Sequence, residues 1–221
     1  MITLYHCMNA RSFRPLWTLE ELGLDYELKM LPFPPRVLAK EYLGINPLGT
    51  IPLFLDGDVR MTESAAICQY LATRYGPTSL AVEPDEPAFG AYLNWLTFGE
   101  ATLTFPQTIV FRYTQLESEE RRLPQAAEDY RRWYLGRVRG VEAIVAKEQY
   151  ICAGRFTVAD ISIGFALMFS EQIKLFAQLP EVVQRYWLRL KERDGFQRAL
   201  MAQQLAAADQ GVAAAPPRTG T

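Results

Sequence analysis

The chain has 221 residues, 49% hydrophobic and 22% charged, which excludes wholesale disorder and suffices for one large domain or two modest ones. A formal net charge of -2 gives no general attraction to nucleic acid or to an anionic membrane, and no apolar run reaches the roughly 20 residues of a spanning helix. Three separated cysteines without a Cys-x-x-Cys pair and a single histidine, His6, argue against a disulfide framework and a metal site, so the reading is a cytoplasmic chain with reduced thiols.

Residues 2–5 read as a strand and 14–22 as a helix whose Leu16, Leu19 and Leu22 face a core, stopped by Gly23. A second strand follows at 26–30. Pro32, Pro34 and Pro35 mark a loop before a short helix at 37–43. Residues 51–55 and 59–61 flank Asp56-Gly57-Asp58 as a hairpin, and 63–75 form a helix.

Beyond Gly76-Pro77-Thr78-Ser79 the strand signal fades, and 88–115, 119–147, 158–175, 182–193 and 196–208 carry helical periodicity. This predicts a βαβαββα domain at 1–76, a linker at 77–86, an all-helical domain at 87–208 and a flexible tail at 209–221. Thr157 and Asp160 have capping-box spacing, and Phe156 and Ile161 can staple the same helix start.

Two stretches carry chemistry. In Asn46-Pro47-x-Gly49-Thr50-Ile51-Pro52 a proline opens a strand; a cis peptide there turns the backbone groups before it away from the sheet, free to pair with an extended peptide. In Thr62-Glu63-Ser64, a strand ends and a helix begins. Helix N-terminal N–H groups seat a carboxylate, while Glu63 accepts from an ammonium, so the pair suits an α-amino acid headgroup. Ser64 read alone serves equally as a helix cap.

Together with Arg14-x-Leu16-Trp17-x-Leu19-Glu20-Glu21-Leu22-Gly23 and Phe156-Thr157-Val158-Ala159-Asp160-Ile161, these stretches resemble the cytosolic glutathione transferases over about residues 1 to 205. The resemblance implies a thioredoxin-like domain followed by an all-helical one. It also implies glutathione as co-substrate without a metal, a twofold homodimer, and a role in detoxification. Thr50, Ile51 and a cis Pro52 would bind the cysteinyl part, Glu63 and Ser64 the γ-glutamyl end, and Arg36 and Lys40 the glycyl carboxylate.

The loop after the first strand is where this family keeps the group that stabilises the glutathione thiolate. Here the position that bears serine or cysteine in several classes is Asn9, which can donate an amide N–H but cannot act as a base or form a mixed disulfide. Ser12 and Arg11 are further candidates. The resemblance is to a bacterial-like theta, phi or nu type rather than a tyrosine type, and it assigns no single class. Phe13, Phe33, Phe105 and Phe111 are candidates for the pocket of a small hydrophobic electrophile. A glutathione-dependent lyase, isomerase or reductase, and a non-catalytic glutathione-binding module, are the alternatives.

Overall fold

The computed structural model describes residues 1–213; residues 214–221, most of the segment read as a tail, lie outside it. The described residues form two units, one of Met1–Thr78 with 192–213, the other of Ser79–Lys191.

In the first unit, strands β1 (Ile2–His6), β2 (Tyr26–Met30), β3 (Leu53–Asp56) and β4 (Val59–Met61) make one sheet in the order β2-β1-β3-β4. β1 runs parallel to β2, with His6 opposite Met30, and antiparallel to β3, with Tyr5 opposite Leu53. β3 starts two residues later than the periodicity suggests, because Pro52 has no N–H to give the ladder. Helix α1 (Phe13–Leu22) buries Leu16, Trp17 and Leu19, and ends at Gly23, whose φ of 63° suits glycine. The expected 37–43 helix is split into α2 (Pro35–Leu38) and a tight turn at Lys40–Gly44, and α3 runs Ser64–Arg74.

In the second unit, α4 (Phe89–Thr97) and α5 (Phe105–Phe111) are joined by a wide π-type turn, Phe98–Thr104. Pro106 removes a helical N–H, and the wide turn before it absorbs the mismatch. The Phe105 N–H then reaches back five residues to the Glu100 carbonyl, and the Thr104 hydroxyl donates to the Gly99 carbonyl at 2.7 Å. Helix α6 (Pro124–Val145) begins later than residue 119, since proline is suited to a first helical turn. α7 (Val158–Gln172) is buried nearly all round, and α8 (Glu181–Lys191) completes the unit. Arg155 grips the stretch read as a linker, donating to both Glu86 carboxylate oxygens at 2.8 and 2.7 Å and to the Ala81 carbonyl at 2.9 Å.

The last helix, α9 (Asp194–Asp209), belongs by packing to the first unit, which corrects an all-helical domain running to 208. Phe196 packs edge-on against Trp17 (4.9 Å) and Phe13 (5.5 Å) of α1, and Arg193 forks onto Glu21 at 2.7 and 2.8 Å. Gln210 is likewise no part of a free tail. Its amide accepts from Met30 N–H and donates to the Leu28 carbonyl, both at 2.8 Å, and so covers part of the β2 edge.

Candidate functional site

The register brings the candidate segments to one end of the sheet. Tyr5 lies opposite Leu53, so the loop after β1 leaves beside the start of β3, and Phe54 lies opposite Met61, so β4 delivers α3 at that same end. Because β2 is parallel to β1, the Phe33–Lys40 stretch leaves there too.

The peptide before Pro52 is cis. Among the described residues nothing bonds to the Ile51 N–H or C=O. The preceding carbonyl is occupied: Thr50 accepts from the Tyr42 hydroxyl at 2.8 Å and from Asn46 Nδ2 at 2.9 Å. Asn46 is buried, and its Oδ1 also takes the Leu48 N–H at 3.3 Å. The segment is thereby held in place ahead of β3, and Ile51 offers a donor and an acceptor. Gly49 stands at φ +59° with Arg36 Cβ only 2.7 Å from where a Cβ would lie, so no other residue fits that turn without displacement.

Glu63 is the N-cap of α3, exposed, and makes no side-chain cap bond. Ser64 begins the helix and is 2% exposed, and its hydroxyl accepts from Arg14 Nη1 at 3.2 Å. Arg14 itself is fully buried. It ties the starts of α1 and α3 together and brings positive charge to the α3 N-terminus, where the helix dipole acts in the same direction. Arg36 and Lys40 are exposed with no ion-pair partner among the described residues.

In the loop after β1, Asn9 has φ 54°, a left-handed conformation that asparagine tolerates better than most residues. Its N–H donates to Gln203 Oε1 at 3.1 Å and its Oδ1 accepts from Gln203 Nε2 at 2.7 Å. Ser12 is corrected. Its hydroxyl is fully buried and accepts the Cys7 N–H at 3.3 Å, so it braces the loop and is not presented to a ligand. Burial pushes the Cys7 thiol up to about 12, leaving it protonated and donating to the Pro32 carbonyl at 3.7 Å, which removes it as a nucleophile. Arg11 is half-buried.

Of the aromatic candidates, Phe13 is corrected as well: it has no exposed surface and sits in the core with Trp17 and Phe196. Phe33 is half-buried; Phe105 is 48% exposed with one edge against Tyr130, and Phe111 is half-buried against Phe169. Arg14, Asn46 and Gln203 were not read as site residues from the sequence.

His6 is wholly buried, and that burial, partly offset by its bond to Gln203, lowers its pKa from 6.5 to about 4. Between those values the unfolded chain binds a proton that the folded chain does not, so stability falls as pH falls from 6.5 towards 4. Relative to His6→Asn, the wild-type chain is expected to lose about 3 kcal/mol across that window, at 1.36 kcal/mol per unit of pKa. Urea titrations of both proteins at a series of pH values read this directly. A stability gap that stays constant with pH would sink the assignment of His6 as a buried neutral imidazole.

Residues 1–73 match the family model described as glutathione S-transferase, N-terminal domain. Glutathione S-transferase GstB of Escherichia coli (strain K12) is 30% identical over 216 residues, covering 91% of this chain and 98% of that protein. A glutathione transferase from Methylococcus capsulatus superposes with a TM-score of 0.82 at 24% identity, over 93% of this chain and all of the other. A theta class glutathione S-transferase from Xanthomonas axonopodis pv. citri, solved with glutathione bound, superposes at 0.76, also at 24% identity, over 90% and 97% of the two chains.

Proposed function

The chain belongs to the glutathione S-transferase family, and from that premise we propose that glutathione lies across the end of the sheet where Asn9, Ile51 and Ser64 converge, with Asn9 donating to its sulfur. A glutathione transferase has to hold the tripeptide in one direction and keep its sulfur ionised, and different residues of this chain meet the two demands.

The Ile51 N–H and C=O pair with the cysteinyl residue of glutathione as one more strand would. This fixes the peptide's direction and carries its sulfur towards the loop after β1. At the other end the γ-glutamyl carboxylate takes the N–H groups at the start of α3 and the Ser64 hydroxyl, which Arg14 orients, while the Glu63 carboxylate takes the ammonium. Thr50 and Pro52 shape the same wall, and Arg36 and Lys40 supply a cation for the glycyl carboxylate.

A thiolate is stabilised by donors aimed at it, which favour the charged form and lower its pKa. The Asn9 N–H₂ group is such a donor, with Arg11 adding positive charge nearby. The proton leaves to solvent, since Asn9 cannot accept it. The thiolate then attacks a small hydrophobic electrophile, forming the carbon–sulfur bond as the leaving group departs. On this reading the enzyme acts as a cytoplasmic homodimer in detoxification, a part of the proposal that rests on the family alone.

The observation that carries the reading is the Ile51 backbone, which has no hydrogen-bond partner among the described residues and lies beside the loop that bears Asn9. A hydrogen bond to a charged group contributes about 1.5–3 kcal/mol, so Asn9→Ala should raise the pKa of bound glutathione by about one to two units. It should also cut kcat/KM for a chlorinated nitroaromatic by about 10- to 100-fold. Ultraviolet titration of the thiolate in the complex measures the first. A bound-thiol pKa identical in the wild type and the variant would remove Asn9 from the chemistry.

A further inference from the structure

We infer that Gln203, on the last helix, is a positioning residue for the transfer reaction: it sets which edge of the Asn9 amide faces the sulfur. The inference rests on the reading of Asn9 as the sulfur's donor.

Gln203 is 1% exposed and lies on the stripe of α9 formed by Phe196, Ala199 and Ala207, positions that otherwise carry apolar side chains against the first unit. A buried amide costs free energy unless its polar atoms are paired, so a leucine would serve packing alone better. Both polar ends of this glutamine are paired, and all its partners flank the loop after β1. One end accepts from Asn9 N–H at 3.1 Å and meets His6 Nε2 at 3.0 Å; the other meets the Asn9 side-chain oxygen at 2.7 Å.

A single backbone donor settles every orientation in this chain. The Asn9 main-chain N–H can only donate, so the Gln203 atom facing it is the oxygen. His6 Nε2 faces that same oxygen and therefore carries its hydrogen, as a neutral imidazole, since burial holds its pKa near 4. The other end of Gln203 is then its N–H₂, and the Asn9 atom that accepts from it is Oδ1.

An amide is planar, so holding Asn9 Oδ1 against Gln203 turns the Nδ2 edge away from α9. Turning Asn9 over would set its N–H₂ against the Gln203 N–H₂. Turning Gln203 over would set its N–H₂ against the Asn9 main-chain N–H, which can only donate. With Asn9 inverted, an oxygen lone pair would face the thiolate and raise the sulfur's pKa. Gln203 thus has a function that a well-packed apolar residue cannot supply.

Two variants test this. Gln203→Met removes both ends of the amide at similar volume. Gln203→Glu keeps an oxygen for Asn9 N–H and His6 but removes the donor to Asn9 Oδ1. Both are expected to raise the bound-glutathione pKa by about one unit and lower kcat about tenfold, with KM for glutathione within about threefold of wild type. In an Asn9→Ala background neither should lower kcat further.

A purely structural residue would shift the melting temperature and leave the bound-thiol pKa of the folded protein unchanged. That result, or additive losses with Asn9→Ala, overturns the inference. If Asn9→Ala itself leaves the bound-thiol pKa unmoved, the underlying reading of Asn9 has failed instead. Should neither variant fold, a wild-type glutathione complex decides: Gln203 Nε2 still bonded to Asn9 Oδ1 supports the inference, and a parted contact overturns it.

Discussion

Asp160→Ala is expected to destabilise the protein by about 4 kcal/mol, a large share of the roughly 5–15 kcal/mol typical of a folded domain. Asp160 is completely buried. Its Oδ1 accepts from Ile151 N–H at 2.9 Å and from the Tyr186 hydroxyl at 2.7 Å, and its Oδ2 accepts from Thr157 N–H at 2.9 Å and the Thr157 hydroxyl at 3.3 Å. Alanine leaves these donors in the interior without an acceptor, at about 1–3 kcal/mol for each group that cannot find another. Part of that is recovered, because the carboxylate is itself penalised by burial: desolvation outweighs its donors and pushes its pKa up to about 6. Asp160→Asn keeps one acceptor and should fall between the two. Thermal and urea unfolding measure all three; a melting temperature within a degree or two of wild type for the alanine variant would refute this account.

That network also separates what the sequence carries locally from what it does not. The capping-box spacing of Thr157 and Asp160 is a relation three residues long, and the structure has it, with Thr157 Oγ1 also taking the Ala159 N–H at 3.2 Å. Tyr186 and Ile151 reach the same carboxylate from outside the box, and no periodicity announces them. The same limit explains the boundaries. Proline effects are local, so the late start of β3 and the start of α6 at Pro124 follow from backbone chemistry once noticed. The destination of α9 is not local, because an amphipathic helix carries the same stripe whichever unit it covers.

The candidate site divides along the same line. Ile51, Pro52 and Ser64 were legible because strand-opening proline and helix-opening serine are positional signals. Asn9 is a candidate only through the family resemblance, by its place relative to Arg14 and Gly23, and its left-handed φ supplies a reason for asparagine there independent of any ligand. Gln203 sits 194 residues away in sequence and touches Asn9 only because α9 packs on α1. The same packing takes Phe13 out of any pocket: the first turn of α1 would face outward but for Phe196 lying on it. Ser12 has the residue type of a thiol activator but spends its hydroxyl on the Cys7 amide, a choice set by loop geometry rather than composition.

The other large effect is expected in the second unit, where Gly99→Ala should cost about 3 kcal/mol. A Cβ built at Gly99 would clash with Ser162 Oγ and lie 2.6 Å from both the carbonyl carbon and oxygen of Ser162, inside any permitted contact. Two of those three atoms are backbone of α7, so a rotamer change cannot relieve them, and the wide turn must move away from the most buried helix of the unit. The Ser162 hydroxyl also donates to the Leu96 carbonyl at 2.7 Å, which holds the two segments at this distance. Removing that hydroxyl clears only one clash, so Ser162→Ala should not rescue Gly99→Ala. Gly136 provides the opposite case within the same unit. It lies inside α6, and outside its own helix backbone no atom of the described residues comes within 4 Å of its would-be Cβ, so Gly136→Ala should stabilise by about 0.5–1 kcal/mol through helix propensity alone. Opposite shifts in the urea midpoint for the same chemical change would isolate close approach of the helices as the reason for glycine at residue 99; shifts of one sign would refute it.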